Sequence, residues 1–180
     1  MTLRQIVTLP EPILRRKAKP ITKIDKDLQT LIDDMIETMR DAPGVGLAAP
    51  QVNIGQQLIV VEYSEDEDEE DEDENTQSDT KPLKPKKLYV MINPEIVKAS
   101  EEKVMGVEGC LSIPNIQGEV ERHEAIQVKG LNRYGKPQKL KVDGWMARIF
   151  QHEIDHLNGV LFTDIATRVW KFQQDEEHEL

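Results

Sequence analysis

A chain of 180 residues with 38% apolar content is long enough for one domain with a hydrophobic core, provided part of it stays solvated. The formal net charge of −11 comes almost wholly from ten acidic residues in an unbroken run, EDEDEEDEDE from Glu65 to Glu74; without them the chain stands at −1. A near-neutral body lacks the basic face that nucleic-acid binding requires and the polybasic cluster that attracts an anionic membrane, so neither partner is expected.

The first residues, MTLRQIVTLPEPILRRKAKPI, have no continuous apolar core and no small-residue cleavage site. No apolar run approaches the roughly 18 residues that span a bilayer, so a soluble, unexported protein is expected. Leu28, Leu31, Ile32, Met35, Ile36 and Met39 recur every three or four residues behind Asp25, a good N-cap. They predict a helix from about Asp25 to Arg40, ended by Pro43 and Gly44. After GVGLAAPQ come β-rich segments, QQLIVVEY, KKLYVMIN, EIVKASEE and AIQVKGLN with PQKLKV, the last two joined by a turn at RYGK. They read as an antiparallel meander between two helices. Residues 64–87 interrupt it with an acidic block and then a Pro/Lys-rich block. That insertion cannot bury enough surface to offset its ordering entropy and is expected to be disordered. It reads as a solvated loop or as a docking loop for a basic partner.

Cys110, in GVEGCLSIP, is the lone cysteine, which excludes an intramolecular disulfide and fits a reducing compartment. By itself it is a buried thiol or a ligand in a glycine-flanked turn. The second helix is predicted from Asp143, its N-cap, through GWMARIFQHEIDHLN to Gly159. At about 100° per residue, Trp145, Met146, Ile149, Phe150, Ile154 and Leu157 form one apolar arc, with Glu153 and His156 inside it and His152 at its edge. Arg148, Gln151, Asp155 and Asn158 fall on the opposite side. The expected fold class is therefore α+β: antiparallel β-sheets packed around a C-terminal metal-binding helix, with an N-terminal helix. Residues 1–170 form one domain and 171–180 a polar tail.

Two imidazoles and a carboxylate on the inward side of a helix need partners or pay a desolvation cost of about several kcal/mol. The spacing in QHEIDH brings His152 and His156 to one face, where a single ion can bind, and Glu153 can reach a water on that ion. Extended over HEIDHLNGVLF, the pattern of zinc proteases fits at Gly159 but puts Phe162 where a third histidine would stand. Cys110 with the two histidines would instead make a three-ligand set with one position open.

GVGLAAPQ (Gly44 to Gln51), EGCLS (Glu108 to Ser112) and QHEIDH (Gln151 to His156) resemble, in order, the three signature motifs of the peptide deformylases. The resemblance runs from LPEPILRRKAKPI to about Phe162 and leaves the acidic insertion as its main foreign element. It implies that Cys110, His152 and His156 bind a divalent metal, Fe(II) in this family, although the donor set would also admit zinc, nickel or cobalt. It implies hydrolysis of the N-formyl group on the initiator methionine of nascent polypeptides, in a bacterial cytoplasm, with the ribosome as a candidate partner. Glu153 would be the acid/base group, and the Gln51 amide and the Leu111 backbone N–H would be the oxyanion donors. Gly46 and Gly109 would contact the substrate main chain, and Val45 and Trp145 would line the methionine pocket, with plain core packing the other reading of Trp145. Glu108 and Arg122 would pair behind the cysteine. Two rivals remain at this level: a metallopeptidase, which needs a further downstream ligand, and a non-enzymatic metal-stabilised interaction module, which needs four protein ligands.

Overall fold

The computed structural model describes residues 2–64 and 85–172. The acidic run, most of the insertion expected at 64–87 and most of the tail expected at 171–180 lie outside these residues.

Helix α1 spans Lys26–Asp41, and the Asp25 side chain accepts a hydrogen bond from the Leu28 N–H at 2.9 Å, as an N-cap should. Its six periodic apolar residues are all buried, each worth about 1.5–3 kcal/mol when withdrawn from water. Helix α2 spans Gly144–Leu157 behind Asp143 and stops where Gly159 takes φ +72°. A single turn, α3, covers Phe162–Ile165.

The described residues hold eight strands, in chain order β1 (Gly46–Ala48), β2 (Leu58–Tyr63), β3 (Lys87–Ala99), β4 (Lys103–Cys110), β5 (Ile113–His123), β6 (Ala125–Leu131), β7 (Pro137–Asp143) and β8 (Arg168–Lys171). They form a five-stranded sheet in the order β1-β2-β3-β6-β7 and a three-stranded sheet in the order β4-β5-β8, with every pair antiparallel. The segments KKLYVMIN and EIVKASEE, read separately, are one strand, β3, whose register against β6 shifts between Ile92 and Glu95. Pro94 sits at that shift, where its missing N–H removes no ladder bond.

The five-stranded sheet is covered on both faces. Leu58, Val60 and Ile92 pack with α1, while Ile59, Val61, Met91, Ile126 and Val128 pack with α2, which is why LIVV in β2 is an unbroken apolar run. A smaller cluster of Ile113, Val120, Leu161 and Phe162 lies under the three-stranded sheet. Helix α2 thus runs between the two sheets. That position corrects the expected solvent side of the helix, because Arg148 and Gln151 are both 5% exposed. Gln151 is fixed by the backbone of His123, accepting from its N–H and donating to its carbonyl, and Arg148 reaches carbonyls of β4 and β5. A wheel assumes one wet face, and a helix between two sheets has none along this stretch.

Candidate metal centre

Helix α2 contributes His152, Glu153 and His156, and the end of β4 contributes Cys110. At Gly109/Cys110 the β4–β5 pairing shifts so that Cys110 faces Ile113, which leaves Leu111 and Ser112 as the turn. Cys110 is therefore the last residue of β4, where the strand enters the glycine-flanked turn expected from the sequence. One ligand atom each from Cys110, His152 and His156 lie within 4.8 Å of one another, with the Cys110 sulfur 3.3 Å from His156 Nε2. Gln51, in the 3-10 turn Ala49–Val52 after β1, is buried beside them. Its Oε1 accepts from the Ala48 N–H at 2.9 Å, which turns Nε2 toward Ser112 Oγ (3.3 Å) and the Cys110 sulfur (3.6 Å).

Glu108 organises the other side of the cluster. Its Oε2 lies 2.9 Å from His152 Nδ1, which commits that nitrogen and leaves Nε2 as the ligand atom. Arg122 makes a two-pronged contact with the same carboxylate, at 2.8 and 3.0 Å, and also donates to Asp155. Arg148 adds a further bond to Oε1 at 3.0 Å. Burial alone would raise the Glu108 carboxyl, but the bonds from His152 and Arg122 and the Arg122 charge outweigh it and hold Glu108 at about 2.

Burial dominates the neighbouring groups. It pushes the Glu153 carboxyl up to about 7, only partly opposed by the charge of His152. It also takes His156 well below the ordinary imidazole range, helped by the charge of His152. For His152 burial acts downward too, yet the bonds to Cys110 and Glu108 and the Glu153 charge prevail and favour a positive charge at that ring. Glu153 Oε2 and His156 Nδ1 are buried without a hydrogen-bond partner. A thiol and two imidazoles whose ligand atoms converge, beside a buried carboxylate oxygen and an imidazole nitrogen that no protein group satisfies, fit a divalent cation and a water.

The cluster opens into a cavity of 770 Å³. Val45, Gly46, Gln51, Glu108, Gly109, Cys110, Leu111, Trp145, His152 and Glu153 all line it, so the structure brings these expected residues together. Trp145 is 40% exposed at the cavity, which removes the plain-core reading. Of the expected set, Arg122 and His156 stand behind the lining, Arg122 on Glu108 and His156 on Cys110. Phe162, at the position of a possible downstream ligand, instead stacks on His152 with ring centroids 6.1 Å apart.

The sequence reading missed Arg148, Ser112 and Asp155. A signal for Arg148 was present: it stands one helical turn before His152, so any group that meets the His152 ring can meet its guanidinium too.

A sequence model of the polypeptide deformylase family matches residues 3–171. The chain is 48% identical to a peptide deformylase of Symbiobacterium thermophilum over 99% of its own length and 74% of that protein. It is 44% identical to one of Halothermothrix orenii, over 94% and 97% of the two chains. Among solved structures, a peptide deformylase from Thermotoga maritima superposes with a TM-score of 0.77 at 39% identity, covering 93% of this chain and all of that one. One from Synechococcus elongatus in complex with actinonin gives 0.75 at 39% identity, over 91% and 78%.

Proposed function

The chain belongs to the peptide deformylase family, and we propose that Cys110, His152 and His156 hold the divalent cation on which its hydrolysis depends. The reaction removes the N-formyl group from the initiator methionine of nascent polypeptides and releases formate. The observation that carries the assignment of roles is the buried, unpartnered Oε2 of Glu153 lying in the same cavity as a Cys/His/His cluster. When bound, the cation supplies Lewis acidity, polarising a carbonyl and acidifying water. Iron(II) is the ion we assign, with zinc, nickel and cobalt compatible with the same donors.

The chain's own groups do the rest. Glu153, held near neutrality by burial, takes the proton of the attacking water and delivers it to the departing amine. The Gln51 amide cannot rotate without giving up the Ala48 N–H, so its Nε2 donors stay aimed at the cluster, where the formyl oxygen gains charge. The Leu111 N–H, in the turn beside Cys110, is the second donor in this reading. Strand β1 is the edge of one sheet and β4 the edge of the other, and Gly46 and Gly109 bring both edges to the cavity. An extended peptide laid between them can pair its backbone with either edge, and its first side chain can meet Val45 and Trp145.

The stacking of Phe162 on His152 disfavours the metallopeptidase reading, because that position offers no ligand. The cavity beside the cluster disfavours a purely structural metal, which would be closed by four protein ligands. Among the described residues no helix is long and apolar enough to cross a membrane. We place the protein in the bacterial cytoplasm with nascent chains as substrate and the ribosome as a candidate partner.

Anaerobic purification, metal analysis and a formate-release assay on formyl-Met-Ala-Ser beside its acetylated analogue test the reading. Formate from the first peptide and no acetate from the second is expected. A metal-loaded protein that releases no formate would remove it.

A further inference from the structure

The geometry points to Arg148 as a positioning residue for the metal ligand His152, acting through Glu108, and to Gly106 as the gap that admits it. The inference rests on the metal-binding role proposed for His152 but not on the identity of the substrate.

Arg148 lies on α2 one turn before His152, and both side chains reach the same carboxylate. Its Nη1 donates to Glu108 Oε1 at 3.0 Å and to the Val120 carbonyl at 2.8 Å, and its Nη2 donates to the Val104 carbonyl at 2.8 Å. One guanidinium thus joins the helix to β4, to β5 and to the carboxylate that orients the ligand. Arg122 already pairs with Glu108 along both oxygens, and Oε2 also receives His152. Arg148 fills the remaining place on Oε1, so each oxygen of Glu108 has two donors, which fixes the carboxylate against rotation about its last bond. A carboxylate free to rotate would let the His152 ring tilt, and groups behind a metal ligand set its ring orientation.

Gly106 on β4 supports the same reading from the opposite side. A Cβ at that position would lie 2.6 Å from Arg148 Cζ and 2.7 Å from its Nε. Arg148 is buried and its guanidinium is pinned to two backbone carbonyls, so it cannot simply swing aside. The glycine at 106 is therefore explained by the arginine at 148 and not by backbone conformation.

Arg148→Met keeps the aliphatic stem and removes the donors, and Arg148→Lys keeps the charge but cannot reach Glu108 and both carbonyls at once. The readouts are the rate of cobalt loss to a chelator and the visible absorption spectrum of the cobalt-loaded protein, beside circular dichroism to check folding. Arg148→Met is expected to fold, to lose cobalt about 10- to 100-fold faster and to shift the spectrum, as loss of a group behind a ligand does. Arg148→Lys should recover thermal stability more fully than cobalt retention. Gly106→Ala should reproduce the faster cobalt loss with Arg148 still present. In a Glu108→Gln background, Arg148→Met should add little. Should Arg148→Met fail to fold, the Lys and Gly106→Ala variants carry the test. Cobalt retention and spectrum unchanged in a folded variant, or an undiminished Arg148→Met effect without the Glu108 carboxylate, overturns the inference. A chain that shows these cobalt effects yet releases no formate would leave it standing and remove the functional reading instead.

Discussion

Gly46 of β1 and Glu153 of α2 are packed so closely that a Cβ added at Gly46 would come within 2.5 Å of Glu153 Oε1 and 2.9 Å of its Cγ and Cδ. The backbone of Gly46 is not in the left-handed region, so space alone requires glycine here. Glu153 is buried and lines the cavity, so its carboxylate can give way only by shifting within the site. Gly46→Ala is therefore expected to displace the carboxylate and lower kcat by at least about tenfold while metal content stays at wild-type level. Steady-state kinetics with metal analysis on the same preparation checks this, and an unchanged kcat would show that the contact is not catalytic.

Glu153→Gln separates acid/base chemistry from metal binding. The amide has nearly the same shape, and the three ligand residues are untouched, so the variant should fold and hold near-stoichiometric metal. Formate release should fall by about 10²- to 10⁴-fold, the usual worth of such a group. His156→Ala should lose the metal as well. If the glutamine variant sheds metal as readily as the alanine variant, Glu153 is a ligand and its assigned role is wrong.

The Gln51 side chain should matter for the reaction far more than for affinity. Gln51→Ala removes a donor aimed at the cluster, and kcat should drop by about 10²- to 10³-fold with a small change in KM. A rise in KM at constant kcat would mean that Gln51 only binds substrate.

The metal-free protein should carry a pH signature of Glu153. Burial raises its carboxyl from 4.5 to about 7, so between those values the native state holds a proton that the unfolded state has lost. Stability from this group is therefore intact below about pH 4.5 and falls as pH rises through 7. The loss totals about 3 kcal/mol at most, from the size of the shift. Denaturant titrations of chelated wild type and Glu153→Gln should give similar values near pH 4.5 and diverge in favour of the glutamine variant by pH 8. Parallel curves across that range would contradict the raised carboxyl.

Local patterns in the chain foretold the two helices, the Asp25 cap, β2 and the β6–β7 hairpin, because these depend on periodicity and turn residues close in sequence, whereas Asp143 precedes α2 without a side-chain capping bond. The three-stranded sheet was invisible to that reading. Exposed Val104, Met105 and Val107 in β4 alternate with no clear inner face, since the inner positions are taken by Gly106 and Glu108, shaped by contacts with α2. The Cys110, His152 and His156 cluster proposed to hold the cation was legible because His152 and His156 lie a turn apart on an inward face and Cys110 is the lone thiol. Arg148 stands a turn before His152 in the sequence as well, but its burial was not legible, because a charged residue opposite an apolar arc belongs in water until a second sheet covers it.

Cys110 belongs to the three-stranded sheet, whereas His152 and His156 belong to the helix that also packs on the five-stranded sheet. A cation gripping all three is a cross-link between parts of the chain far apart in sequence, closing a loop in the way a disulfide would in a more oxidising setting. Its grip should thus be felt as local cohesion: a free ion at about 100 times its dissociation constant adds about 2.7 kcal/mol to the native state. Chelation should accelerate amide hydrogen exchange in β4, β5 and β8, which have a small apolar cluster beneath them, and leave α1 and β2, seated in the larger core, nearly unchanged.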